Sequence, residues 1–366
     1  MKNLKKYSPI IVTGGAGFIG SNFVLEWFNN FDIPLVNIDL LTYAGNLQNL
    51  EALQNYSNHH FIKGDICDQV LVASLFEKYQ PQAIINFAAE SHVDRSISNP
   101  ESFIKTNIHG TYTLLEVARN YWAKLEDEDK NLFRFIHIST DEVYGSLSPE
   151  EPPFTEQNPY QPNSPYSSSK AASDHLVRAW NHTYGLPVIT TNCSNNYGPY
   201  QFPEKLIPLI IFNAISGKEI PIYGDGKNIR DWLFVTDHCA AIRQILTKGK
   251  IGETYNIGGH NEITNIEIAQ IVCGLLDELH DPKKHDIRHF LTEKSIESYH
   301  ELIKFVPDRL GHDRRYAIDS SKVMREVGWR PSETFNSGIT KTIQWYLNNI
   351  QWIRNIETGA YKNMEL

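Results

Sequence analysis

The sequence predicts an α/β fold: a doubly wound parallel sheet, followed by a smaller C-terminal α/β domain. Three observations predict it. Short apolar runs alternate with helical periodicities over the first half of the chain. A glycine-rich turn separates the first run from the first helix. From about residue 194 the composition shifts towards polar and aromatic segments. The expected division is therefore 1–193 and 194–366, with some of the second part returning to the first.

The bulk composition narrows the class. A chain of 366 residues has room for a large core and a second, smaller one. With 41% hydrophobic and 21% charged residues it reads as globular. A net charge of −9 and the absence of any basic run argue against nucleic acid as a partner. Cys67, Cys193, Cys239 and Cys273 lack the spacing of a zinc or disulfide framework and read as reduced thiols. The fourteen histidines are dispersed, so no metal site is expected. The basic start, Met1 to Tyr7, leads into a strand rather than an apolar leader, and no run has the length of a membrane span. A cytoplasmic protein with no membrane partner is expected.

Taken in order, Pro9-Ile-Ile-Val-Thr13 is the first strand and Gly14-x-x-Gly17-x-x-Gly20 the turn after it. Phe18, Ile19, Phe23, Val24 and Trp27 then recur at helical spacing. Strand, glycine turn and helix are the context in which a pyrophosphate can approach the backbone and face the helix N-terminus. The second strand, Leu35 to Asp39, ends in an acid nineteen residues after Gly20. A carboxylate there suits the two ribose hydroxyls of NAD and repels a 2′-phosphate, so NAD is expected over NADP.

Phe61 to Ile66 gives a third strand ending at Asp65, Val70 to Tyr79 a helix, and Ala83 to Ala88 a fourth strand. Glu101 to Trp122 carries one long helical periodicity, and the charged run Leu125 to Lys130 reads as a solvated loop. The strand from Phe135 then runs straight into Thr140, Asp141 and Glu142. Such residues either cap a helix or form a site, because unpaired buried carboxylates are costly as mere structure.

Six prolines between Pro149 and Pro165 mark an ordered loop, and Pro165 opens the next helix. Tyr166 and Lys170 stand one turn apart on it, either as a surface pair or as a catalytic one. In the catalytic reading Lys170 lowers the phenol from its usual value of about 10 and touches a ribose hydroxyl. Beyond the strand Val188 to Asn192, the segments 195–200, 202–205, 223–226 and 230–234 suit binding a hydroxylated, anionic ligand rather than building a sheet. Arg230 is either a diphosphate clamp or half of a surface ion pair. The cluster from Asp308 to Arg315 is either phosphate-facing or structural. Gly328 to Pro331 reads as a helix stop with a packing Trp329, and Ile339, Ile343, Tyr346 and Leu347 mark a final amphipathic helix.

The glycine turn, Asp39 and the Tyr166-x-x-x-Lys170 pair together resemble the extended short-chain dehydrogenase/reductases, which have a Rossmann sheet. Ser139-Thr-Asp-Glu-Val-Tyr-Gly145 narrows the likeness to nucleotide-sugar 4,6-dehydratases, those of dTDP-glucose foremost, which feed dTDP-rhamnose synthesis. Ala88 to Ser96, Tyr255 to Asn261 and His312 to Tyr316 extend it, so that it runs from the first strand to about Tyr361.

The resemblance implies a tightly held NAD, regenerated each turnover. Its contacts would come from Gly14, Gly17, Phe18, Ile19, Gly20, Asp39, Leu40, Thr42, Asp65, Ile66, Ala88, Ala89, Ser91, Thr106, Tyr166, Lys170 and Asn196. It implies substrate contacts from Ser91, Thr140, Asp141, Glu142, Asn195, Lys205, Leu206, Pro221, Ile222, Tyr223, Arg230, Asn265, Asp308, Arg309 and His312. Thr140, Asp141, Glu142, Tyr166 and Lys170 would be catalytic, and 101–122 with 165–184 would build the four-helix bundle of a homodimer.

Two features depart from the family. Leu310 stands where proline is usual, and 281–303 is longer than expected. A 4-epimerase or decarboxylase on the same scaffold needs no C5 base and no C6 acid, so the adjacent acids favour a dehydratase. A dehydratase of GDP-mannose or CDP-glucose stays open. An NAD-binding regulator without turnover is disfavoured by the intact tyrosine, lysine and acids.

Overall fold

The computed structural model describes residues 4–5, 8–280 and 296–364. Most of the long 281–303 segment therefore lies outside the described residues.

Seven parallel strands form the main sheet in the order β10-β6-β5-β4-β1-β2-β3. They are β1 (Ile10–Thr13), β2 (Leu35–Asp39), β3 (His59–Lys63), β4 (Ala83–Asn86), β5 (Arg134–Thr140), β6 (Val188–Cys193) and β10 (Thr254–Ile257). Strands β1, β2, β4 and β6 are buried throughout, as expected when helices cover both faces of a parallel sheet. The order reverses about β1, whose neighbours are β2 and β4. A ligand cleft belongs at the carboxyl ends of the strands there.

Two cores sandwich this sheet. One contains Phe23, Trp27, Ile136 and Tyr255; the other contains Val36, Phe76, Leu114, Phe135 and Val177. Trp329 is in the first, and its indole donates to the Asp237 carbonyl at 3.0 Å.

The second half of the chain builds its own core, called the second core as distinct from the two against the main sheet, around Tyr197, Ile210, Trp232, Ile268, Ile339 and Trp352. It carries two small sheets. β7 (Asn195–Tyr197) pairs parallel with β9 (Ile229–Phe234), which pairs antiparallel with β11 (Glu262–Thr264). β8 (Ile220–Tyr223) pairs with β12 (Ile303–Val306). Residues 195–197 and 230–234 therefore do build sheets, contrary to the sequence expectation, whereas 202–205 and 224–226 lie outside the strands. Trp232 and Phe234 anchor β9 in the second core, and that long-range packing decides the outcome.

Local signals set the helix ends. Ser164 and Ser167 form a reciprocal cap on the helix Pro165–Tyr184, with Pro165 in its first turn and Gly185 closing it at φ 75°. Two expectations are corrected. The run Glu101 to Trp122 is not one helix: Pro100–Phe103 leads into a wide π turn, Ile104–Gly110, before Thr111–Trp122 resumes. The charged run is not a loop, because Asp127–Leu132 is helical with three acids in its first turn, where the positive end of the helix dipole favours them.

Candidate active site

The site begins at the glycine turn. Gly14 sits at φ 71°, and a Cβ there would come within 2.7 Å of the Ala88 nitrogen. A Cβ on Gly20 would stand 2.2 Å from the Gly14 carbonyl oxygen. This fits a turn that packs its helix closely and leaves the backbone open to a phosphate. Replacing Gly20 by Ala must shift the turn itself. The expected cost is about 1–3 kcal/mol of stability, with NAD binding weakened at least tenfold. Denaturation and NAD titration would check this, and unchanged affinity would count against the cradle.

At the end of β2, Asp39 accepts the Leu41 N–H at one carboxylate oxygen (2.8 Å) and the Ala16 N–H at the other (2.9 Å). Each oxygen keeps lone-pair capacity for a ribose hydroxyl. The Leu41 contact helps to hold a residue at φ 56°, a left-handed conformation that leucine disfavours.

One cleft runs from this turn across the strand ends. All the residues expected at the cofactor line it: Gly14, Gly17, Phe18, Ile19, Gly20, Asp39, Leu40, Thr42, Asp65, Ile66, Ala88, Ala89, Ser91, Thr106, Tyr166, Lys170 and Asn196. Thr140, Glu142, Asn195 and Lys205 line it as well. The Asn195 side-chain oxygen is buried without a protein partner. The glycine cradle, the carboxylate at the end of β2 and this orphaned acceptor fit a dinucleotide with a polar ligand beside it.

At the end of β5 a helix cap and a buried carboxyl occur together. Thr140 Oγ1 accepts the Glu142 N–H at 3.3 Å and so caps the single turn Asp141–Tyr144. The same turn buries a carboxyl, because Asp141 is only 1% exposed. Asp141 lies behind Thr140, whose hydroxyl donates to it at 3.4 Å, and it is not among the residues lining the cleft. Burial holds its carboxyl well above the usual range, Glu142 and Asp231 push the same way, and Arg230 opposes them. Burial raises Glu142 too, but Lys205, Arg230 and Arg309 pull it back. Burial thus holds both acids towards the protonated form, Asp141 the more strongly, while the cations around Glu142 act in favour of its carboxylate.

A consequence for stability follows from the raised Asp141 value. The associated stability is full below the unfolded carboxyl pKa of about 3.9. It is lost as pH rises from there through the folded value, because the unfolded chain ionises first. Asn cannot ionise. Asp141→Asn should therefore gain in Tm relative to the parent between about pH 5 and about pH 8. Calorimetry at both values checks it, and a gap that is flat or narrows with pH would count against a protonated Asp141.

Tyr166 and Lys170 are both buried and both line the cleft, so they are not a surface pair. The expected lowering of the phenol by Lys170 is not what the protein itself provides. Burial, then Glu142, Cys193 and Asp141, hold Tyr166 well above its ordinary value, and the Thr140 hydroxyl pulls the other way. Lys170 donates to the Ile138 carbonyl at 2.7 Å, and burial lowers its own value.

The remaining expected substrate residues form a second group, away from the cleft lining. Arg230 is no surface ion pair. It is 5% exposed, donates to the Ile229 and Asp313 carbonyls at 2.7 and 2.9 Å, and lies over the Tyr316 ring. His312 Nδ1 meets Asp308 at 2.6 Å, and its ring faces Tyr223. Arg309 pairs with Asp94 at 3.5 Å. Pro221 lies on β8 beside Lys304, and Asn265 opens the helix Asn265–Leu279. Ile222 is 1% exposed in the second core and Leu206 packs against that core, which leaves backbone as Ile222's means of contact. Glu142 joins the two groups, since it lines the cleft and feels both Arg230 and Arg309.

Several residues escaped the sequence reading. Glu90, Gln201, Phe202 and Glu204 also line the cleft. Asn107, in the π turn, donates to the Glu90 carbonyl and accepts the Glu90 N–H. His238 meets the Asn196 side-chain oxygen at 2.9 Å from a fully buried position. Glu90, inside the Ala88–Ser91 run, and Phe202 and Glu204, inside 202–205, carry a usable signal in the sequence; Gln201, Asn107 and His238 carry none.

A family model described as GDP-mannose 4,6 dehydratase matches residues 11–342. The dTDP-glucose 4,6-dehydratase of Salmonella typhimurium is 57% identical over 362 residues, covering 97% of each chain. That of Xanthomonas campestris pv. campestris is 58% identical over 352 residues, 96% of this chain and 97% of the other. Among solved structures, the dTDP-glucose 4,6-dehydratase of Bacillus anthracis in complex with NAD aligns with a TM-score of 0.81 at 46% identity. That alignment covers 95% of this chain and 99% of the other. The UDP-glucose 4-epimerase of Thermotoga maritima aligns at 0.78 and 27% identity, over 93% and 99%.

Proposed function

The chain belongs to the GDP-mannose 4,6-dehydratase family, among its dTDP-glucose 4,6-dehydratase members, and on that premise we propose that it dehydrates dTDP-glucose with NAD. The product is dTDP-4-dehydro-6-deoxy-glucose. The observation that carries the reading is the unequal acid pair at the end of β5, Asp141 held up by burial and Glu142 faced by Lys205, Arg230 and Arg309, beside a buried tyrosine. An epimerase site has no use for it.

NAD held by the glycine turn, Asp39, Tyr166 and Lys170 would supply the hydride acceptor for C4 of the sugar and the hydride donor for C6. The chain's own groups do the rest. Tyr166 takes the proton of the C4 hydroxyl while Thr140 holds that oxygen. Once C4 is a ketone the C5 proton is acidic, and Glu142 removes it. Asp141, carrying a proton, gives it to the departing C6 oxygen. Lys205, Arg230 and Arg309 favour the Glu142 carboxylate and offer the diphosphate its positive charge.

We assign 1–193 to the cofactor half and 194–366 mainly to the substrate half, and expect a cytoplasmic homodimer joined through 101–122 and 165–184. Among the described residues no helix is long and apolar enough to cross a membrane. The test of function is to offer dTDP-, GDP-, CDP- and UDP-sugars and to follow products by NMR. A 4-keto-6-deoxy product from dTDP-glucose is expected. An epimer, or a preference for another base, would overturn the assignment.

A further inference from the structure

We propose that the C-terminal segment from Ile350 to Asn363 clasps the cofactor cleft, and that Trp352 and Tyr361 are the positioning residues through which it slows NAD release. This rests on the reading that the cleft holds NAD. Both residues pack in the second core, yet both send a hydrogen bond into the first half of the chain.

The Trp352 indole donates to the Asn49 side-chain oxygen at 2.9 Å. The Asn49 amide in turn donates to the Ala16 carbonyl at 2.9 Å. Ala16 lies within the glycine turn, and its own N–H is bonded to Asp39. One continuous line of hydrogen bonds thus joins the C-terminal helix Ile350–Thr358 to the turn and the acid expected to hold the dinucleotide.

The Tyr361 hydroxyl donates to the Tyr43 carbonyl at 2.6 Å. Tyr43 sits in the loop whose neighbours Leu40, Thr42, Ala44 and Gly45 line the cleft. Its ring meets Phe202 edge-on at 5.8 Å, Phe202 meets Tyr361 at 6.1 Å, and the Arg95 guanidinium lies 3.7 Å from the ring centre. Arg95 reaches on to Glu204 at 3.2 Å. The loop can swing away only if the Tyr361 bond breaks and this stack parts. A cofactor regenerated in each turnover has no need to leave, and a clasp of this kind retains it.

Trp352→Phe and Tyr361→Phe keep an aromatic ring and remove one donor each. Each variant is loaded with NAD, freed of excess, and diluted into an NAD-consuming dehydrogenase that reports release. Each is expected to release NAD about two- to tenfold faster than the parent, the effect of one lost hydrogen bond, with the double variant near the product of the two. The turnover number at saturating NAD should not change. Ile356→Val, in the same helix, is the control: it should lower Tm and leave release within about twofold. Release at the parent rate in both Phe variants refutes the clasp alone. Acceleration by Ile356→Val equal to theirs also refutes it, because general loosening then explains the effect. A parent protein that retains no NAD refutes both the clasp and the cofactor reading. If Trp352→Phe fails to fold, Tyr361→Phe carries the test.

Discussion

Tyr166→Phe is expected to lower turnover by about 10²–10⁴-fold and to stop the reaction before any reduced cofactor forms. Tyr166 lines the cleft on a well-capped helix, one turn before Lys170. Its oxygen lies close enough to the Thr140 hydroxyl for that group to act on it. Phe keeps the ring and removes only that oxygen, so the fold and the cleft should persist. What is lost is the base for the C4 hydroxyl. Burial and the Glu142 charge hold the phenol up, so the proton leaves Tyr166 readily only when positive charge is close by. Lys170 alone does not supply enough, for its own amine is desolvated. A single-turnover experiment with enzyme in excess should show no absorbance from reduced nicotinamide. Turnover within tenfold of the parent would remove Tyr166 from the mechanism.

Glu142→Gln should fail one step later. A loss of about 10²–10⁴-fold is again expected for a missing general base, but the character of the block differs. Oxidation at C4 does not use Glu142, so reduced cofactor should accumulate on mixing. Removal of the C5 proton does use it, so exchange of that hydrogen with heavy water should disappear. The substitution also removes the negative charge that Lys205, Arg230 and Arg309 surround. Substrate affinity should not fall, because the neighbouring cations lose a competitor for the diphosphate. Persistent C5 exchange would assign the base elsewhere. Failure of both oxidation and exchange would mean that Glu142 shapes the pocket instead of acting as a base.

The sequence revealed what is local and concealed what is not. The first strand, the glycine turn and Asp39 lie within thirty residues, and each carries its own chemical reason; the cleft then forms where β1 meets β2 and β4. The pairing of Tyr166 with Lys170 follows from helical spacing alone. By contrast, the π turn at Ile104–Gly110 leaves apolar spacing almost unchanged, so periodicity read straight through it. The polar residues of strand β9 suit ligand binding better than a sheet when read in sequence alone. Its place is fixed by Trp232 and Phe234 meeting a core assembled from residues as far away as Ile339. The position of Asp141 behind Thr140 depends on a tight turn after β5, which no spacing rule distinguishes from two acids side by side. His238 beside Asn196 joins positions forty-two residues apart and could be seen only once the chain was folded.

The central claim is that one site oxidises C4, expels water from C5 and C6, and returns the same hydride to C6. dTDP-glucose carrying deuterium at C4, turned over in ordinary water and read by NMR, tests it most directly. The account predicts a 4-keto-6-deoxy product with the deuterium moved to C6 and a solvent proton at C5. Deuterium retained at C4 of an epimerised sugar, or lost to the medium, would contradict it.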